Sequence, residues 1–167
     1  MMRKLFLLLV LAFATTGLFA QSPIGDGGKQ INFGTGFSSY GIPLYFGMDF
    51  GVYPDITVGF NGSFRSYSDS WGGDSYNHSV IGLFANGNYH FNTILNIPRE
   101  WDFYAGLSLG YYIWNNDSKY GGSNASGLGF DAQIGGRYYW SDRWGVNLEF
   151  GGGNATSGGR IGVSYIL

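Results

Sequence analysis

The sequence has no cysteine, only 4 prolines in 167 residues, and a charged fraction of just 12%. Without cysteine there is no disulfide framework, no thiol nucleophile, no thiolate metal site and no lipoprotein processing. With 9 Lys and Arg against 11 Asp and Glu and no basic cluster, nucleic acid is excluded as a partner. Past residue 20 no apolar run reaches the roughly 20 residues of a membrane helix. The two histidines, His78 and His90, stand apart, and no carboxylates cluster at ligand spacing, so neither a metal nor another cofactor is expected. Gly151, Gly152 and Gly153 precede no helix and are a strand end, not a phosphate loop. The Asn-x-Ser/Thr triplets at Asn61, Asn77, Asn116, Asn124 and Asn154 are what Asn- and Ser-rich segments produce by chance.

What the chain does hold is 30 Gly, 13 Tyr, 14 Phe and 5 Trp. Glycine disfavours helices and high aromatic content disfavours disorder, which leaves strands joined by Gly-rich turns. Residues 1–20 have the physics of a secretory signal peptide: Arg3 and Lys4, then apolar Leu5 to Ala14, then a cleavage region at Gly17 to Ala20. Its loss would remove two bases, leaving 7 against 11 acids. Residues 21–29, with Pro23 and three glycines, read as a flexible lead-in, and residues 30–167 as one β domain.

The clearest pattern runs from Leu128 to Phe150. Leu128, Phe130, Ala132, Ile134, Gly136, Tyr138 and Trp140 alternate with Gly129, Asp131, Gln133, Gly135, Arg137 and Tyr139, and alternation resumes at Trp144 after a short turn at Ser141 and Asp142. A period of two puts one set on each face, giving a hairpin with one apolar and one polar face. Its aromatics gather at the turn end, as in a membrane girdle. The same alternation gives strands from Ile31, Leu44, Ile56, Ile81 and Phe103, and a last one from Arg160 to Leu167. That makes eight strands of about the 9 to 11 residues a tilted membrane strand needs. Ser66 to Asn77 and Asn115 to Gly127 read as long polar loops on one side, opposite short turns.

In strand number, length and loop asymmetry this pattern resembles the small OmpA/OmpX-type outer-membrane barrels, an all-β, eight-stranded, antiparallel, up-and-down fold. Arg160, Gly162, Tyr165 and Leu167 resemble that family's C-terminal assembly signal, although its members usually end in Phe. The resemblance implies insertion by the outer-membrane assembly machinery and a bacterial outer-membrane location, as a monomer among lipid and lipopolysaccharide. It implies no activity.

Alternation sends Asp49, Arg65, Asp131, Arg137, Glu149 and Arg160 inward, three acids and three bases. An eight-stranded lumen is just wide enough for side chains to fill, so a neutralised network that closes it is expected. Arg137 and Glu149, diagonal neighbours across the short turn, are the expected pair. The inward glycines Gly34, Gly47, Gly59, Gly106 and Gly135 either make room for Tyr104, Tyr112 and Tyr139 or leave gaps. Tyr89, Phe91, Phe103, Tyr138, Trp140 and Trp144 form the expected girdle at the turn end. Tyr67, Trp71, Tyr76 and Tyr120 fall in the loops, among Ser, Gly, Asn and Asp, a composition suited to adaptable contact surfaces.

His78 near Asp69, Ser70, Asp74 and Ser75 invites a hydrolase reading, but any polar loop contains Ser and Asp, and no catalytic residue is assigned. The preferred function is structural or adhesive, through the extracellular loops. The alternatives are a narrow channel for ions or small solutes and, less favoured, a lipid-modifying enzyme. A soluble ligand-binding barrel of lipocalin type would need the apolar residues inside.

Overall fold

The structure, a computed structural model, describes residues 22–38, 41–71, 74–115, 126–154 and 157–167. Eight strands form: β1 Lys29–Ser38, β2 Leu44–Tyr53, β3 Ile56–Trp71, β4 Asp74–His90, β5 Trp101–Asn115, β6 Gly127–Tyr139, β7 Trp144–Gly153 and β8 Ser157–Ile166. Each pairs antiparallel with its sequence neighbours, and β1 pairs with β8 to close a barrel. Closure leaves no free edge along the paired rungs, so backbone groups there are satisfied within the sheet.

The two faces are sorted in the reverse of a water-soluble protein. Leu109 and Ile134 point outward and are 61% and 64% exposed, in a belt with Phe46, Leu83, Leu107 and Leu148. Asp49, Asp102 and Arg137 point inward and are buried. A soluble monomer does not carry so large a continuous apolar surface. The lipocalin-type arrangement, with apolar residues inside, is thereby overturned.

Residues 22–28, the C-terminal end of β8 and the β2–β3, β4–β5 and β6–β7 connections share one end of the barrel, here called the turn end. Between β4 and β5 a single helical turn, Asn92–Leu95, closes with Asn96 in the left-handed region at φ 49. The β6–β7 turn is tied by the Ser141 hydroxyl, which accepts from the Trp144 N–H at 3.0 Å. The other connections share the loop end.

Two expectations need correction. Ser66 to Asn77 is not a long loop: β3 and β4 stay in register through Tyr67↔His78 and Ser68↔Asn77 to Trp71↔Asp74. Two strands that hydrogen-bond to each other in water need no apolar face, so the pairing outlasts the periodicity that reveals it in sequence. Residues 22–28 are not a free lead-in either. They fold under the turn end, with Gly25 N–H on Ser22 O, Gly27 N–H on Gly51 O and Gly51 N–H on Gly28 O, each 2.9 Å. The signal-peptide segment lies outside the described residues.

Candidate functional site

The chemistry of the molecule is concentrated in its lumen. Arg137, near the end of β6, sits directly opposite Asp102 on β5. Its guanidinium donates to Asp102 Oδ2 and, across the lumen, to Asp49 Oδ2 on β2, both at 2.9 Å. Asp49 also accepts from Asn32 at 2.9 Å and Asn86 at 3.0 Å. Asp102 holds His90 Nδ1 at 2.7 Å, and His90 Nε2 meets Thr57 Oγ1 at 3.0 Å. Arg137 also lies 4.2 Å from the Tyr104 ring centroid, a cation–π contact. One cation thus serves two carboxylates, and amides and a histidine take up their remaining oxygen valences.

The pairing expected between Arg137 and Glu149 does not form. The register does make them diagonal neighbours, since Arg137 faces Asn147 and Gly135 faces Glu149. Each instead takes the partner directly opposite on its other neighbouring strand: Asp102 for Arg137 and Arg160 for Glu149. Directly opposed side chains are closer than diagonal ones. Asp102 escapes the sequence reading because the alternation read there starts at Phe103, one residue past it. Extending the β5 alternation back from Tyr104 by two residues would have found it.

Toward the loop end, Arg160 pairs with Glu149 and reaches Asn61 Oδ1 at 3.4 Å, with its guanidinium 5.1 Å from the Tyr45 ring centroid. Glu149 Oε2 accepts from the Tyr104 hydroxyl at 2.8 Å. Asp131 accepts from Tyr112 at 2.8 Å, and Arg65 donates to Ser38 Oγ at 2.9 Å. The six charges expected inside are inside, in three groups: Asp49 with Arg137, Glu149 with Arg160, and Arg65 and Asp131 each on a hydroxyl. Two interior cavities, of about 80 and 30 Å³, share Asn61, Gln133, Glu149 and Arg160 in their linings.

The inward glycines make room for rings. A Cβ on Gly135 would lie 2.4 Å from the Tyr104 ring, and one on Gly129 would lie 2.5 Å from Phe84. Val80, Phe84 and Tyr112 form a small apolar cluster, with Tyr67 and Trp114 against it. Tyr67 is therefore in β3, stacked 5.1 Å from His78, and is not displayed on a loop. His78 is likewise in β4 and buried, and the side chains of Asp69, Ser70, Asp74 and Ser75 lie outside the described residues. Trp71 and Tyr76 lie in the hairpin, and their side chains, like Tyr120, lie outside the described residues.

At the turn end the rings form touching groups. Tyr89 meets Phe91 at 5.4 Å, Trp101 meets Phe103 at 5.8 Å and Tyr138 at 4.8 Å, and Trp144 meets Tyr165 at 4.6 Å. Trp101 is an addition to the expected set, and exposed Trp140 follows β6 at the same end. In β8, Arg160 and Gly162 share the inward parity, Tyr165 points outward, and Leu167 donates its N–H to Lys29 O at 3.0 Å.

Thr57, His90 and Asp102 have the connectivity of a hydroxyl–imidazole–carboxylate array. Thr57 is 1% exposed and the other two 0%, so no substrate reaches the hydroxyl. Among the described residues there is no group of three metal-ligating side chains.

No protein-family model matches the chain, and no curated protein matches it. Solved structures do. OprG from Pseudomonas aeruginosa is similar at TM-score 0.66 and 12% identity, over 87% of this chain and 99% of that one. The N-terminal β-barrel domain of Pseudomonas aeruginosa OprF aligns at TM-score 0.58 and 14% identity, over 86% and 99%. Ail of Yersinia pestis, solved with the heparin analogue sucrose octasulfate, aligns at 0.54 and 10%, over 84% and 97%. At these identities the likeness is one of fold: the small eight-stranded barrel of outer-membrane proteins.

Proposed function

We propose that this chain is a non-enzymatic integral protein of the bacterial outer membrane, with a lumen closed by side chains and a structural or surface-contact role at its loop end. The observation that carries the reading is the pairing of opposites. A continuous apolar belt faces outward, and a hydrogen-bonded ionic network around Arg137 crosses the lumen. The belt needs lipid around it, and the network spans an eight-stranded lumen that side chains can fill.

The turn-end rings are the interfacial girdle, and the strand from Arg160 to Leu167 is the segment offered to the assembly machinery. Lipopolysaccharide and phospholipid are the surrounding partners of what functions as a monomer. Contacts outside the cell fall to the β3–β4 hairpin and the segment between β5 and β6. Residues 66–77 at the hairpin tip and 116–126 carry Asp69, Asp74 and Asp117 against Lys119 alone. A sulfated polyanion such as the one bound to Ail is thus disfavoured here, and a neutral or hydrogen-bonding surface is the better match.

The test is conductance of the refolded protein in planar bilayers. The parent is expected to be silent, and Arg137→Ala to leak. Discrete steps from the parent would replace this reading with that of a narrow channel.

A further inference from the structure

We infer that residues 22–28 form a strap that crosses the turn end of the barrel and seals the lumen there. A layer of fully buried polar side chains lies above it. Gln30, Thr57, His90, Asn92, Asp102 and Ser164 are all buried to within 1% of completely. Gln30 is the second residue of β1, His90 the last of β4 and Asp102 the second of β5. Side chains that close to the mouth of an open barrel would be wet. Something covers them.

The strap is placed to do so. On one side Gly27 and Gly28 bond to both backbone groups of Gly51, at the end of β2. On the other, Pro23 lines a cleft with Arg99, Glu100, Tyr139, Trp140 and Ile166. The segment therefore spans the mouth from β2 to the β4–β5 and β6–β7 connections. Ser22 and Ile24 are each 4% exposed, whereas Asp26, between Gly25 and Gly27, is exposed. Seven residues with this split of buried and exposed side chains are seated, not loose.

Backbone closeness gives the strap its lock. Gly25 and Gly27 hold φ of 51 and 76, which bends the segment under the mouth. A Cβ on Gly51 would lie 1.6 Å from Gly25 O, and one on Gly28 would lie 1.6 Å from Ile24 O. Both contacts are with backbone, which cannot swing aside. An alanine at Gly51 therefore unseats the strap while leaving Arg137, Asp49 and Asp102 untouched.

The absence of cysteine supplies the experiment, run on the refolded full-length mature chain. Single variants Ser22→Cys, Asp26→Cys and Thr57→Cys are exposed to a small charged methanethiosulfonate. The thiols at 22 and 57 should react at least about tenfold more slowly than that at 26, as a locally closed segment requires. Adding Gly51→Ala, or Ile24→Asp should the glycine variant not fold, should bring the rates at 22 and 57 up to that at 26. Equal rates at 22 and 26 in the otherwise unchanged chain would show an unseated segment and overturn the inference. So would a thiol at 57 that stays protected after the strap is displaced.

The seal adds to the closed lumen proposed above and rests on it only in part, and conductance separates the two. A silent parent whose Thr57→Cys variant labels freely would sink the strap and spare the ionic closure. A silent parent that conducts once the strap is displaced would show the strap, not the Arg137 network, to be the barrier.

Discussion

Arg137 ties the interior together as the common partner of two buried carboxylates on different strands. Removing it leaves Asp49 and Asp102 facing each other with amides and a histidine but no permanent cation. Arg137→Ala should lower unfolding stability by about 3–5 kcal/mol, the usual cost of orphaning a buried charge. Urea titration in lipid vesicles measures it, and a midpoint equal to the parent's would refute the shared-cation arrangement. Arg160→Ala should cost less, since Arg160 and Glu149 are partly exposed. At this scale the sequence is informative about direction and poor at choosing partners. Alternation alone points all six expected charges inward. It cannot rank a diagonal neighbour against a direct one without both flanking registers, and it loses Asp102 when a strand is started one residue late.

Among the elements, β6 shows how a strand is matched to what it faces. Gly135 leaves the space that the Tyr104 ring fills, and that ring in turn contacts both Arg137 and Glu149. Gly135→Val should therefore destabilise by about 1–3 kcal/mol through overpacking. Gly127→Ala in the same strand, where a Cβ meets nothing within 4 Å, should leave the unfolding midpoint unchanged. On the outer face, Leu107→Arg in β5 should cost about 2–4 kcal/mol in a bilayer if the belt meets lipid at mid-depth. The same substitution in a soluble sheet would be nearly free, so vesicle unfolding of this variant tests which solvent the belt meets. Elements were legible wherever one face was apolar. The outer parts of β3 and β4 were not, because residues 66–77 are mostly Ser, Asp, Gly and Asn, and no run of alternating apolar residues marks the strands there.

For the whole molecule, strand number, order and closure could all be read from periodicity, because only a closed barrel lets every strand keep one apolar and one polar face without an edge. The folded position of residues 22–28 could not, since it depends on backbone approaches at Gly28 and Gly51 that leave no periodic trace. The barrel is also uneven in height. β3, β4 and β5 have 16, 17 and 15 residues, whereas β1, β2, β7 and β8 have 10 each. At roughly 3.3 Å per residue the taller wall stands as much as about 20 Å above the lower rim, less the effect of tilt. A cylinder of even height looks the same from every bearing in the plane of a membrane. This one has a front and a back, so whatever it touches at its loop end is met from one side, and turning about the membrane normal becomes a variable in every such encounter.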